Sequence, residues 1–240
     1  MEPSPLHWLD APVTGPYRWT MLGAITLSAI YWWRQAKKDP ALLPIFIGAL
    51  CGVFLGAKVA YLLGDGWWDL RWLKNPWPRL LAGKSIVGGI LGGWAGVELL
   101  KWLTGYRKPT GDAFVLIAPL GIALGRVGCW LQGCCLGRPM AAHWIVKRDV
   151  NGIERWPAAQ IELGFQLAAF ALVLVLRKRA FWQGRVFFAY LVAYGLFRFG
   201  HEYVRDTPTL PGGLSGYQWM SGLMVVVGSV AFVKRGPATG

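Results

Sequence analysis

The chain is short of charge. Asp, Glu, Lys and Arg make up 15% of its 240 residues, against roughly a quarter in ordinary soluble domains. Acidic groups are the scarcer kind, with 12 Asp and Glu facing 25 Lys and Arg. Histidine occurs three times and cysteine four times. The cysteines are not spaced with the histidines as zinc ligands are, so no metal site is expected. No internal repeat, low-complexity tract or second domain stands out. No inverted pair of broken helices marks a transporter. A cleavable signal peptide is not expected either: Met1 to Pro16 carries Glu2 and Asp10 and no Lys or Arg before Arg18.

Apolar side chains take the place of charge. Hydrophobic residues make up 55% of the chain, which has 15 tryptophans. These features predict an all-α integral membrane protein in one transmembrane domain over residues 1–240. The net charge of +13 could suggest nucleic acid. The basic residues, however, lie in short clusters between apolar runs, as they do where a membrane protein fixes its orientation. The reading therefore excludes a nucleic-acid partner.

Seven spans are expected, at about 17–33, 41–63, 85–103, 113–133, 157–176, 186–201 and 217–233. Arg34, Lys37 and Lys38 follow the first span, and Lys101, Arg107 and Lys108 mark the loop at the end of the third. Arg177, Lys178 and Arg179 follow the fifth, and Lys234 and Arg235 the last. The positive-inside rule then puts these ends in the cytoplasm, the N-terminus outside and the C-terminus inside.

Small residues recur where helices meet. Cys51, Gly52 and Gly56 in the second span, and Gly88, Gly89, Gly92, Gly93 and Gly96 in the third, suit close helix contact. Glu98 is expected to pair with Lys101 one turn on. The long loop Gly64 to Lys84 carries Trp67, Trp68, Trp72 and Trp77, and reads as a half-buried interfacial segment. Thr110 to Asp112 is expected to cap the fourth helix.

A few polar residues remain inside the apolar spans, where charge is costly without a partner or a task. Lys58, Arg126 and Arg198 all fall near the outer ends of their spans, as do Gln160, Glu162 and Glu202. Lys58 reads either as a lysine snorkelling to the interface or as an inward-facing cation. Arg198, Glu202 and Arg205 are spaced to share one helix face. These residues can converge on a cavity facing the outer leaflet. Such a set suits a phosphate-bearing ligand, because arginine grips phosphate through paired hydrogen bonds. A salt-bridge network that only ties helices together is the plainer reading of the same residues.

The order of motifs resembles the bacterial prolipoprotein diacylglyceryl transferase family. Arg18-Trp19 is similar to a family Arg/His-Trp pair. Gly56-Ala57-Lys58-Val59-Ala60-Tyr61 is similar to a Gly-Ala-Arg…Tyr segment. Gly125-Arg126-Val127-Gly128 resembles the start of the signature Gly-Arg-x-Gly-Asn-Phe-x-Asn-x-Glu-x-x-Gly-Arg. Pro157 to Glu162 resembles Pro-x-Gln-x-Tyr-Glu. Arg198 to Arg205 matches Arg-x-x-x-Glu-x-x-Arg, and Gln218 and Ser221 fit a Gln-x-x-Ser start of the last helix. The resemblance implies a multi-pass enzyme of the bacterial inner (cytoplasmic) membrane. Such an enzyme moves the diacylglyceryl group of phosphatidylglycerol to the cysteine thiol of a lipoprotein precursor, without metal or cofactor. It also implies that Arg126 and Arg198 bind the lipid phosphate and that Glu202 orients Arg198 and Arg205. Lys58, Gln160, Glu162, Arg205 and Gln218 would line the substrate site.

The chain departs from the family within the signature itself. Val87 stands where the family has histidine, which removes one candidate base. Cys129, Gln132 and Cys134 replace its Asn, Asn and Glu. These cysteines read either as small fillers of a tight helix end or as reactive groups, with Arg126 and Arg138 favouring thiolate. Cys129 and Cys134 lie about 140° apart on an ideal helix, and share a face only if Gly133 breaks it. On the reactive reading Cys129 and Cys134 join Arg126, Arg198 and Glu202 as catalytic candidates. Two further functions stay open: a different thiol-based group transfer or redox reaction at Cys129, Cys134 or Cys135, and non-enzymatic lipid binding.

Overall fold

A computed structural model of the chain describes residues 15–66, 83–140, 145–149, 151–179, 181–210 and 212–235. Among these residues are seven α-helices: α1 (Pro16–Lys38), α2 (Leu42–Tyr61), α3 (Ile86–Thr104), α4 (Gly111–Gln132), α5 (Ala158–Lys178), α6 (Val186–His201) and α7 (Gly216–Lys234). A π-helical turn (Leu62–Gly66) follows α2, and a 3-10 turn (Glu202–Val204) follows α6. A short antiparallel ribbon of β1 (Lys147–Arg148) and β2 (Glu154–Arg155) lies between α4 and α5. Five helices, α2, α3, α4, α5 and α7, are long and apolar enough to cross a membrane. The chain is thus a multi-pass, mostly helical membrane protein. The Trp-rich segment with Trp67, Trp68, Trp72 and Trp77 lies outside the described residues, as do His143 and the first 14 residues.

The glycine stripes pack α2 against α3 as their spacing predicts. A Cβ on Gly52 would collide with the carbonyl oxygen of Gly92, and a Cβ on Gly92 with that of Gly52. The two backbones therefore meet with no side chain between them, the geometry small residues permit in membranes. Cys51, expected beside them in this contact, instead faces outward and is exposed.

Helix α6 forms the middle of the assembly. Phe187, Phe188, Tyr190, Leu191 and Tyr194 are buried there with Val87 of α3, Val115 of α4, Val173 of α5 and Met224 of α7. One face of α6 packs along α7, while α4 lies between α1 and α5. Exposed Leu, Ile, Val and Trp side chains cover the outside of the helices, the surface a lipid-facing protein presents.

The ends that carry the basic clusters are tied together. Lys108 pairs with Asp39 at 2.9 Å, and Arg235 pairs with Glu98 at 2.8 Å. The expected Glu98–Lys101 pair is present at 3.6 Å. The expected cap at Thr110 is not: its side chain makes no capping bond. Asp112 Oδ2 instead accepts the backbone N–H of Gly184 at 2.6 Å, and Arg177 donates to the Asp112 carbonyl at 2.7 Å. The short polar group is drawn to the turn before α6 rather than to its own helix end.

The opposite ends are laced by backbone. Gly137 N–H donates to Trp156 O at 2.8 Å, Arg138 N–H to Val204 O at 2.9 Å, and Trp156 N–H to Arg138 O at 3.1 Å. These bonds bring the segment after α4, the start of α5 and the segment after α6 into one cluster, and the site is built there.

Candidate active site

Helix positions explain why the polar residues meet. Arg126 is in the last two turns of α4, Glu162 in the second turn of α5 and Arg198 in the last turn of α6. Alternating helix directions bring these three places to the same end. Glu162 has no exposed surface, and Arg126, Arg198 and Glu202 are also buried.

Glu162 is the hub. Its Oε2 accepts from Arg126 Nη2 at 2.7 Å, and Arg205 Nη1 approaches the same oxygen at 4.0 Å. Its Oε1 accepts from the Tyr194 hydroxyl at 2.6 Å. Glu202 forms a second centre. Arg198 Nη1 lies 2.6 Å from its Oε2 and Arg205 Nε lies 3.6 Å from the same atom, while Thr207 Oγ1 donates to Oε1 at 2.7 Å. The helix ends at His201, so Arg205 does not continue the face of Arg198 and Glu202 as its spacing suggests. It sits in extended backbone bridged to Gly137 and reaches both carboxylates from there.

Three guanidiniums thus surround two carboxylates, leaving one positive charge in excess. Burial, and then the neighbouring Arg198 and Arg126, push the Arg205 pKa down from its ordinary value. Donors remain unused as well. Arg126 Nε, Arg198 Nε and Arg205 Nε are buried and hydrogen-bond to no described group. Unmet buried donors of this kind are costly unless a ligand or water takes them. The arrangement is suited to hold a monoanionic, multi-oxygen group such as a phosphate diester.

The remaining sequence candidates are placed as follows. Gln160 lies one turn from Pro157, with its Oε1 buried and hydrogen-bonded to no described group. Lys58 is engaged at the α2–α3 pair: its Nζ donates to Gly83 O at 3.4 Å and lies 5.5 Å from the centre of the Tyr61 ring. Gln218 is committed to the start of its own helix and to the end of α6. It forms a capping box with Ser215, its Oε1 accepting from Ser215 N–H at 2.8 Å, and its Nε2 donates to Phe199 O at 3.4 Å. Val87 is packed in the main apolar cluster.

Tyr194 was not legible as a site residue, because a tyrosine in an apolar helix reads as core. Its position four residues before Arg198 is the signal that both share a face. His201 is buried beside the site. Its Nε2 accepts from Trp156 Nε1 at 3.1 Å, and indole N–H can only donate. Neutral His201 therefore carries its proton on Nδ1, which has no partner among the described residues.

Gly133 does break the helix. It ends α4 at φ 69°, and Cys134 N–H donates back to Cys129 O at 3.1 Å, a Schellman closure. The reversal carries Cys134 and Cys135 back to Cys129, so that the three Sγ atoms lie within 4.8 Å of one another. Cys129 Sγ is 3.9 Å from Arg126 Nη1. The thiols border the arginine site, although helical periodicity would separate them.

The fold and site together define a polytopic membrane protein with a buried arginine–carboxylate centre at one end of its helices. Comparison with known proteins specifies the family. Residues 17–234 match the sequence profile of the prolipoprotein diacylglyceryl transferase family. The chain is 31% identical over 211 residues to the phosphatidylglycerol–prolipoprotein diacylglyceryl transferase of Bordetella bronchiseptica, covering 81% of this chain and 78% of that one. It is 32% identical over 243 residues to the enzyme of the same name from Methylobacillus flagellatus, covering 93% and 89%. A Neisseria meningitidis enzyme of that name is 29% identical over 225 residues, covering 78% of this chain and 77% of that one. The chain belongs to the prolipoprotein diacylglyceryl transferase family.

Proposed function

We propose that this protein transfers the diacylglyceryl group of phosphatidylglycerol to the cysteine thiol of a lipoprotein precursor in the bacterial cytoplasmic membrane. The observation that carries the reading is the buried group of three guanidiniums with unused donors around only two carboxylates. A phosphatidylglycerol phosphate brings one negative charge and several acceptor oxygens, which match the excess charge and the free donors.

In the reaction the thiol sulfur forms a bond to the glyceryl carbon that bears the phosphate ester. The carbon–oxygen bond breaks, and glycerol phosphate leaves with the electron pair while the thiol proton is released. The leaving phosphate gains negative charge as the bond breaks. Arg126 and Arg198 are positioned to stabilise that charge in a site shielded from water. Glu162 and Glu202 act as positioning residues that hold the guanidiniums in place. The nucleophile is the substrate's own thiol, whose proton goes to solvent: Val87 is apolar and His201 Nε2 is occupied by Trp156, so no base of the chain is assigned to it.

The proposed topology has seven spans, with α1 and α6 crossing alongside the five helices that are long and apolar enough to span on their own. It is supported by the basic residues at the C-terminal ends of α1, α3, α5 and α7, which alternate with the site-bearing ends. The positive-inside rule then puts the N-terminus outside and the site towards the outer leaflet.

The test is release of glycerol phosphate when purified protein meets phosphatidylglycerol and a precursor peptide with a single cysteine. Release that requires the peptide thiol supports the reading. No release, or equal release with a serine peptide, contradicts it.

A further inference from the structure

The signature segment of this chain holds a feature that the proposed transfer does not use: three cysteines gathered by a helix end. We propose that Cys129, Cys134 and Cys135 form a trithiolate site for a soft, thiophilic metal ion of the zinc, cadmium and copper(I) class.

The geometry supports this directly. All three Sγ atoms lie within 4.8 Å of one another, and those of Cys134 and Cys135 are 3.6 Å apart. Three thiolates around one tetrahedral metal at about 2.3 Å sit about 3.8 Å from each other. The group therefore needs only a small contraction to close on an ion. Thiolate sulfur selects soft ions over magnesium or calcium, which take oxygen ligands.

The backbone is built to hold this arrangement. Cys135 has φ 60°, a left-handed conformation that residues other than glycine rarely adopt. Such a conformation persists where the surroundings impose it. Here the Gly133 reversal lies just before it, and the Gly137 N–H bond to Trp156 O and the Arg138 N–H bond to Val204 O lie just after it. The turn places Cys135 back on Cys129 rather than letting it continue outward.

The electrostatics agree. Three thiolates with a divalent ion carry one net negative charge. Arg126, 3.9 Å from Cys129 Sγ, supplies a positive neighbour. Cys135 is exposed while Cys129 is buried, so an ion has a path inward to the cluster. Catalytic zinc sites likewise have three protein ligands and an open position. The fourth cysteine, Cys51, is on α2, outside the cluster, and serves as an internal control.

The experiment uses the full-length, untagged protein in detergent, reduced with a phosphine under nitrogen and desalted. Cadmium(II) is titrated in, and the ultraviolet thiolate-to-cadmium charge-transfer band is followed. Bound metal is counted after a second desalting. We expect one cadmium per chain with the full band, unchanged in Cys51→Ser. Cys129→Ser, Cys134→Ser and Cys135→Ser should each weaken cadmium binding by at least about tenfold. Three results would overturn the proposal. They are a wild-type protein with no band or no retained metal, a band that persists at full strength in the serine variants, and a wild-type cluster that remains disulfide-bonded after reduction. The wild-type titration decides the matter even if a serine variant does not fold.

Discussion

Arg126 Nη2 lies 2.7 Å from Glu162 Oε2, and neither side chain has appreciable contact with solvent. Each is the other's compensation. Removing one partner of a buried pair leaves a bare charge, at a cost of about 3–5 kcal/mol. We expect Glu162→Ala to lower stability on that scale in detergent unfolding. Glu162→Gln, which keeps an acceptor for Tyr194, should cost less. Equal stability of Glu162→Ala and the wild type would show that the pair carries no such weight.

Tyr194 ties α6 to the same carboxylate through a 2.6 Å hydrogen bond. Hydrogen bonds to charged groups are worth about 1.5–3 kcal/mol. Tyr194→Phe should lose about that much in the same unfolding measurement. Combined with Glu162→Ala, which removes the acceptor, the two losses should come to less than their sum, because both variants break the same Tyr194–Glu162 contact.

The α2–α3 contact admits no side chain. Gly92→Ala places a Cβ against the Gly52 carbonyl and the Gly56 Cα. Overpacking of this sort costs about 1–3 kcal/mol. Gly121→Ala, with no described atom within 4 Å of the new Cβ, is the matched control and should be nearly neutral. The comparison is read from thermal unfolding in one detergent.

The ribbon at the site-bearing end should respond to acid through Asp149. Its carboxylate accepts from Arg155 Nε at 2.7 Å and from the Ile153 and Asn151 amides, and the bond from Arg155 does most to hold its pKa below the ordinary value. A depressed carboxyl contributes stability that is present above its unfolded pKa, about 3.9. That contribution is lost as pH falls through the lower folded value. Amide exchange of residues 147–155 should stay protected down to about pH 4 and rise below it. In Asp149→Asn that particular pH dependence should disappear.

Sequence periodicity revealed the helices because lipid-facing and core faces are both apolar, and long apolar runs are hard to mistake. It revealed Arg126, Arg198 and Glu202 because charge inside such runs stands out. It did not reveal Tyr194, which hides among buried aromatics. Nor could it pair Arg126 with Glu162, which lies on the next helix. Gln218 was readable in another way: Ser215 followed three residues later by Gln218 is a capping-box pattern, and the structure uses it so. The thiol cluster was legible only as a condition. Everything turned on whether Gly133 ended the helix, which a left-handed glycine does.

The most direct test of the proposed function is mass spectrometry of a single-cysteine precursor peptide after incubation with the protein and phosphatidylglycerol. The expected result is a thioether-linked diacylglyceryl adduct on the peptide cysteine. The rate should fall by about 10²–10³-fold in Arg126→Ala, the cost of removing one preorganised donor from developing charge. The absence of an adduct with wild-type protein, or an undiminished rate in Arg126→Ala, would contradict it.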